Sequence, residues 1–358
     1  MIKRKGGFSL IEMMIAMAIV LVVLASAMSF FIISAQQFKH QTKLTASGLE
    51  GIMGLELLRR DLEDMGFGLP WNNLPAYTEA TGNAAELNDA AAGGLGVAPR
   101  AIVGLDNPAF TLNNSDYFAI KSAKVGVSSA AGKWTHLNHL KNKRIWSPAS
   151  ENMNDTDRVI VLSIGSADSN RRSLVVPGSN FYTTYSNTDD YVPDRNATNI
   201  VYGIGDELSA PLLVRPFNRA DYFVSTSYAI PKHCAPGTGM LVKGVLNSTS
   251  GLISELPVLD CVADMQVAYN LYNTATRTFT WTADLGIMTA AQIREQLVEV
   301  RVSILAHEGQ RDDGFTYPQP TIMVGAAGVG RNFTLNANQR HYRWKLYNLA
   351  VKPLSMAQ

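Results

Sequence analysis

The sequence predicts an α+β protein in which one long N-terminal helix packs on a mostly antiparallel β head domain. Three observations lead to this prediction. An apolar segment lies close to the N-terminus, an amphipathic helical pattern follows it directly, and the remainder consists of short apolar runs between turn residues. Helical and strand periodicities are thus segregated along the chain, which is typical of α+β proteins.

The composition is that of a folded protein without a strong charge bias. The chain has 358 residues, of which 46% are hydrophobic and 17% are charged, and 31 Lys and Arg side chains oppose 30 Asp and Glu side chains. This length allows one large domain or two. A formal net charge of +1 provides no general basic field, so we expect no nucleic-acid partner.

The apolar segment at residues 8–33 contains a single charged side chain, Glu12. It exceeds the roughly 20 residues that a helix needs to cross a bilayer, so membrane lipid is an expected partner. Basic residues occupy positions 3–5, and the next one is Lys39, which predicts a cytoplasmic N-terminus and a head beyond the inner membrane. A cleaved secretory signal is the alternative, but its cleavage site would follow the apolar stretch.

The residues KGGFSLIE at positions 5–12 resemble the class III leader of type IV prepilins and type II secretion pseudopilins. The resemblance implies that a prepilin peptidase cuts between Gly7 and Phe8, that Phe8 is N-methylated, and that the apolar helix stays in the mature protein. It divides the chain into a leader (1–7), a transmembrane helix (8–33), an amphipathic continuation of that helix (34–66) and a β-rich periplasmic or extracellular head (67–358). It also implies a type IV pilin-like fold and final placement in a pilus on the cell surface.

Glu12 is the candidate residue for subunit register and assembly. A carboxylate near hydrocarbon costs about 2.5–3.5 kcal/mol on insertion scales and normally faces a partner. After cleavage, the new amine of Phe8 in a neighbouring subunit carries a suitable charge, and the resemblance implies that this pairing sets the register. The alternative is that Glu12 lies at the headgroup interface and stays solvated.

Beyond the membrane segment, apolar residues recur at spacings of three and four residues, which places them on one face of a helix. They are Leu44, Ile52, Leu55, Leu58, Leu62 and Met65. Gly66, Gly68 and Pro70 then predict the end of the helix. Gly48, Gly51 and Gly54 interrupt this part of the helix, either for close packing against the head or as a point where the helix bends on assembly.

The head is predicted to begin with a long loop at residues 71–114 and to continue as strands. Short apolar runs predict strands at residues 117–120, 159–162, 174–176, 200–202, 212–214 and 240–242. Val298, Val300, Val302 and Ile304 alternate with polar residues, as do Tyr342, Trp344 and Leu346. Thr289 and Gln292 have the spacing of a capping box, which predicts a short helix through Gln296.

The two cysteines, Cys234 and Cys261, fall in the predicted exterior, where an oxidising compartment favours a disulfide. Closing this loop is worth about 3–4 kcal/mol in the chain-entropy model. Two buried thiols, or a metal site with neighbouring His233, are the alternatives. No CxxC motif is present, so the sequence does not indicate redox catalysis.

No spacing of acid, base and nucleophile indicates an enzyme, and we expect none, with no cofactor and no metal. His136 and His139 lack a nearby carboxylate, and His307 lacks a second histidine at the zinc-protease spacing, so we expect solvated histidines. Calcium is an alternative for the acidic groups, but neither has the spacing of an EF-hand. These groups are Asp189, Asp190 and Asp194, and Asp312 and Asp313.

Residues 60–68, 262–269 and 342–348 resemble the PilW family of minor pilins. That resemblance implies a subunit at or near the filament tip which joins other minor and major pilins and primes assembly on the inner-membrane platform. Residues 71–258 match no named pattern. A type II secretion pseudopilin of the J type and a tip adhesin are the alternative functions.

Overall fold

The computed structural model describes residues 9–72, 74–89, 97–165, 171–207, 212–248, 250–326 and 328–356. The chain forms two compact units, which divide after Leu49. Helix α1, Leu10–Glu63, begins in the first unit and ends in the second. The second unit therefore includes the last turns of α1 as well as the whole β-rich region, and it begins earlier than the predicted head at residue 67.

The second unit contains fifteen strands and one further α-helix among the described residues. The strands are β1 Ile102–Leu105, β2 Tyr117–Ser122, β3 Trp134–Asn138, β4 Arg158–Ile164, β5 Arg171–Leu174, β6 Thr183–Thr184, β7 Thr198–Gly205, β8 Asn218–Ser225, β9 Gly239–Leu246, β10 Ile253–Asn273, β11 Thr278–Thr282, β12 Leu297–Glu308, β13 Thr321–Val324, β14 Arg331–Thr334 and β15 Arg343–Val351. Helix α2 is Ala290–Gln296, and a 3-10 helix, Gly82–Leu87, precedes β1.

The strands form two sheets and a separate hairpin. The larger sheet has the order β1-β2-β8-β9-β10-β12-β15, with β11 paired to β10. The smaller sheet has the order β3-β7-β4-β5, with β6 paired to β4, and β13 pairs with β14 alone. Every pairing between these strands is antiparallel, as the sequence predicts.

The main hydrophobic core joins the last turns of α1 to both sheets. Leu55, Leu58 and Leu62 of α1 are buried in it, as the helical period predicts. The prediction is wrong for Ile52, which was assigned to the same apolar face and is exposed. The three leucines share the core with Met265 of β10 and Tyr202 of β7. Because apolar burial contributes about 25 cal/mol per Å², this helical face stabilises the head rather than merely connecting to it.

The short helix α2 confirms the predicted capping box. The backbone N–H of Gln292 donates to the Thr289 hydroxyl over 3.2 Å, and the Thr289 N–H donates to the Gln292 side chain over 2.9 Å. These bonds satisfy two backbone donors that the first turn would otherwise leave unpaired.

Most of the predicted strands lie in the sheets, but the run at residues 212–214 does not. The described residues there bend instead of forming a strand, although Leu213 is buried. Pro216 follows closely and has no N–H for a ladder, and the Val214 carbonyl accepts a bond from the Thr78 N–H outside any sheet. The run at 174–176 is also largely wrong, since only Leu174 belongs to β5.

The predicted loop at residues 71–114 contains regular structure. Strand β1 forms the edge of the larger sheet, and the 3-10 helix packs in a second cluster with Val103 and Tyr117. The apolar pattern did not predict this strand because Gly104 interrupts it. The glycine allows a close approach, since a Cβ there would lie 2.2 Å from the Tyr269 hydroxyl.

Candidate assembly site

The N-terminal part of α1 is apolar on every side. Leu10–Ile32 is long and apolar enough to cross a membrane, and all the side chains described there are exposed. A soluble protein rarely exposes so large a continuous apolar surface. This segment therefore needs lipid or other apolar helices around it.

Glu12 lies in the first turn of this helix. Its Oε2 accepts a hydrogen bond from the Ser9 N–H over 2.9 Å, and the side chain is exposed. A carboxylate in the first turn also interacts favourably with the helix dipole. Because the side chain is exposed, the carboxylate is accessible to a cationic group of another molecule. Gly7 and Phe8, the predicted cleavage and methylation residues, lie outside the described residues.

Within the second unit, a buried ion pair attaches α1 to the larger sheet. Asp61 of α1 lies 2.6 Å from the Lys243 ammonium of β9 and accepts a bond from the Tyr222 hydroxyl of β8 over 2.7 Å. Burial raises the pKa of Asp61, although the Lys243 charge acts in the opposite direction. This contact fixes the rotation of the helix on the sheet, because Asp61 has its charged partner in one orientation only.

Two of the three glycines in α1 allow the close approach of β10. A Cβ on Gly54 would lie 2.0 Å from the Val258 carbonyl oxygen, and one on Gly51 would lie 3.0 Å from a Leu259 methyl group. Of the two interpretations made from the sequence, the contacts of Gly51 and Gly54 fit close packing. Gly48 lies outside the described side chains.

The outward face of the same helical turns is apolar as well. Ile52, Met53 and Leu57 are 59%, 76% and 40% exposed. Beside them runs a groove of about 470 Å³, whose walls include Gly54 of α1 and Val258 of β10.

A disulfide joins Cys234, in the turn before β9, to Cys261 of β10, with an S–S distance of 2.02 Å. This is the pairing expected from the sequence. Next to it, the Nε2 atom of His233 lies 3.1 Å from a carboxylate oxygen of Asp260. The disulfide holds the turn against the sheet, at the side of the groove lined by Asp260.

His307 corrects the expectation of solvated histidines. It is 3% exposed and lies against Tyr342 and Trp344, with ring centroids 4.5 and 5.2 Å away. Its Nε2 accepts a bond from the Ala235 N–H over 2.8 Å, so the ring is neutral with its proton on Nδ1. Burial lowers the pKa of His307 to about 4, and the charge of His233 acts in the same direction.

The other candidate metal residues do not assemble into a site. His136 contacts Trp134 edge to face with ring centroids 5.2 Å apart, His139 is exposed, and Asp189 pairs with Lys141 over 2.8 Å. Across the part of the chain that the structure describes, side chains of metal-binding type cluster only around the disulfide.

Sequence reasoning missed a buried network of charges beneath the 3-10 helix. The Lys121 ammonium of β2 lies 2.7 Å from Glu79 and 2.6 Å from Asp89, and Arg219 of β8 lies 3.0 Å from Glu79. Burial alone would raise the pKa of Glu79 and of Asp89, but the neighbouring cations outweigh it and lower both. The only sign of this network in the sequence was the presence of charged side chains within apolar strands. Their acidic partners lie in the segment that was predicted to be a loop.

Comparison with known proteins gives one match. The family model for the prokaryotic N-terminal methylation motif matches residues 2–28. No curated protein and no solved structure matches the chain. The matched residues contain the class III prepilin leader and most of the exposed apolar helix. This motif implies processing by a prepilin peptidase and a place in pilin assembly, and the apolar helix is consistent with membrane anchoring.

Proposed function

We propose that this chain, a type IV pilin-like protein by its N-terminal motif, is a minor pilin of the PilW kind that primes pilus assembly at the inner membrane. One observation carries the proposal. The apolar segment Leu10–Ile32, in which Glu12 is the only charged side chain, overlaps the methylation motif, and the last turns of the same helix lie in the core of a large β-rich head. In this proposal the helix contacts other subunits, and the size of the head determines which positions in the filament the subunit can occupy.

The mechanism follows from the cost of the Glu12 charge. A carboxylate in hydrocarbon costs about 2.5–3.5 kcal/mol, and a cation from a neighbouring subunit offsets that cost. The N-terminal amine of Phe8, created by cleavage after Gly7, is such a cation. A neighbour shifted by one helical turn would leave both charges unpaired, so the pair selects one register.

Priming follows from the same contacts. Several minor pilins that pack their apolar helices together form a short bundle, and a major pilin then adds to an existing surface instead of starting a new one. We propose as partners the other minor pilins, the major pilin, the prepilin peptidase and the inner-membrane assembly platform. The chain acts by packing and has no catalytic role in this proposal.

The size of the head supports a place at or near the tip. The head unit comprises residues 50–358, and a bulky head is accommodated more easily at the end of a filament than at every position along the shaft. The N-terminus is cytoplasmic and the head periplasmic before assembly, and the subunit then reaches the cell surface with the pilus.

A type II secretion pseudopilin is the alternative, because it shares the leader and the apolar helix. Deletion of the gene, followed by counts of surface pili and an assay of type II export in one strain, separates the two. Loss of pili with normal export supports the minor pilin. Loss of export with normal pili contradicts it and indicates the pseudopilin, and normal results in both assays also contradict it and leave a tip adhesin.

A further inference from the structure

Four side chains of metal-binding type surround the disulfide. His233 and Cys234 come from the turn before β9, and Asp260 and Cys261 come from β10. One ligand atom from each lies within 4.8 Å of every other. Two sulfurs, an imidazole and a carboxylate are all ligands that tetrahedral zinc accepts.

The backbone of β10 is irregular at the point where it supplies two of these ligands. In a regular strand, Asp260 and Cys261 would point to opposite faces of the sheet. Here the pairing of β9 with β10 shifts between Leu259 and Val262, and Cys261 has a φ of 53°. Such a φ is uncommon for a residue other than glycine. A disulfide alone requires only Cys261 to face Cys234, whereas this backbone brings the Asp260 carboxylate to the same place.

In the oxidised chain the two sulfurs are bonded to each other and carry no thiolate charge. The remaining ligands, His233 Nε2 and Asp260 Oδ2, are 3.1 Å apart and pair with each other. That spacing is close to the edge of about 3.4 Å expected for a tetrahedron with bonds of 2.0–2.1 Å. Half of a zinc site is therefore already in position beside the disulfide.

We propose that reduction of the Cys234–Cys261 disulfide converts this cluster into a Zn²⁺ site with ligands from His233, Cys234, Asp260 and Cys261. A dithiol reductant supplies two electrons and two protons, the S–S bond breaks into two thiols, and the reductant becomes a disulfide. Zinc binding then displaces the two thiol protons. Once the S–S bond is broken, the two sulfurs must lie about 3.8 Å apart, the tetrahedral edge set by Zn–S bonds of about 2.3 Å.

The site provides a metal link between the same two segments that the disulfide joins. A chain that has not yet been oxidised, or has been reduced again, keeps the turn attached to β10 by coordination, and the bound thiolates are protected from other reactions. This inference goes beyond the proposed role in assembly and does not depend on it.

The test uses the full-length chain in detergent micelles, reduced by a phosphine. The phosphine takes oxygen from water as it is oxidised, so it introduces no competing thiol. Titration with Co²⁺, a spectroscopic substitute for Zn²⁺, should give one metal per reduced chain, a thiolate-to-cobalt charge-transfer band and release of two protons. Zn²⁺ should displace the cobalt, and the oxidised chain should give none of these signals.

His233→Ala and Asp260→Ala distinguish the four-ligand site from binding by the thiols alone, because both variants keep the disulfide. Each should weaken metal binding to the reduced chain by at least about tenfold. His139→Ala and Asp194→Ala, at exposed positions away from the cluster, should leave it unchanged. The proposal is wrong if the reduced chain binds no metal, or if both cluster variants bind it as tightly as the unaltered chain.

Circular dichroism covers the case in which reduction unfolds the head. Recovery of the folded spectrum on addition of Zn²⁺ to the reduced chain would support the site. Failure to recover, under conditions where reoxidation does restore folding, would overturn the proposal.

Discussion

Gly54 shows how a single missing methyl group allows the helix and the sheet to meet. A Cβ there would overlap the Val258 carbonyl oxygen at 2.0 Å, and a backbone atom cannot rotate away. At Gly51 the nearest atom is a Leu259 methyl group at 3.0 Å, at the end of a flexible side chain. The two glycines lie in the same helix, but Gly54 faces a backbone atom and Gly51 faces a side-chain atom that can move.

We therefore expect Gly54→Ala to destabilise the protein and Gly51→Ala to change its stability little. Overpacking costs about 1–3 kcal/mol, and replacing glycine inside a helix returns about 0.8–1 kcal/mol. The net loss for Gly54→Ala is then up to about 2 kcal/mol, measured by chemical denaturation of the full-length chain in detergent. Equal stabilities of the two variants would contradict the close contact.

The buried His307 makes stability depend on pH. Its pKa is about 4 in the folded chain against 6.5 in the unfolded chain, so the unfolded state binds the extra proton between these values. Its contribution is fully present above pH 6.5 and is lost as the pH falls toward 4. The loss amounts to about 3 kcal/mol at pH 4.

His307→Gln removes this titration while keeping an oxygen that can accept the Ala235 N–H. We expect the free energy of unfolding of the wild type, relative to this variant, to fall by about 3 kcal/mol between pH 7 and pH 4. Asp116 acts in the opposite direction, because burial raises its pKa to about 7, but it is present in both proteins and cancels in the difference. A difference that does not change with pH would refute the shift.

Among the elements, the segment that carries the 3-10 helix Gly82–Leu87 depends on ionic contacts. Its described residues have no ladder partner in either sheet. Besides its apolar packing, Glu79 and Asp89 attach it by meeting Lys121 and Arg219 on the strands below. Asn88 exchanges side-chain hydrogen bonds with the backbone of Ala80 over 2.9 and 3.2 Å. Polar side-chain contacts attach this segment to the head, whereas backbone pairing attaches the strands.

Lys121→Met should accordingly be strongly destabilising, because it leaves Glu79 and Asp89 with less positive charge in a buried place. Breaking a buried pair costs about 3–5 kcal/mol. Lys141→Met is the matched control, since its pair with Asp189 is exposed on both sides and should be worth about 0–1 kcal/mol. Denaturation of both variants in parallel tests this, and a similar small effect in each would show that the network is dispensable.

At the scale of the whole molecule, assembly should depend on Glu12 while membrane insertion should not. Leucine at this position makes the helix more apolar, so Glu12→Leu should insert at least as well as the wild type. Without the carboxylate, the neighbouring Phe8 amine loses its partner, and incorporation into filaments should fall. Fractionation of membranes and of sheared pili measures the two separately.

Glu56→Leu provides the control, because it removes an exposed carboxylate from the same helix outside the membrane segment. It should leave incorporation near the wild-type level. Normal incorporation of Glu12→Leu would indicate that the carboxylate stays solvated at the headgroups, which was the alternative drawn from the sequence.

The sequence by itself determined the features that depend on neighbours along the chain. The leader, the membrane segment with its one charge, the buried face of α1, the capping box of α2 and the alternation in β12 are all local patterns, because a helix or strand repeats at a fixed period. The predicted end of α1 near Gly66 differs from the observed end at Glu63 by one turn, which is the usual uncertainty at helix ends.

Only the tertiary structure decided the rest, because those contacts join residues far apart in the sequence. Lys121 of β2 meets Glu79 and Asp89 beside the 3-10 helix, His307 is buried by Tyr342 and Trp344, and β1 pairs with β2 beside it. The grouping of His233 and Asp260 around the disulfide depends on a bulge in β10. A local sequence pattern cannot predict such contacts, because the burial and charge pairing that stabilise them exist only after the chain has folded.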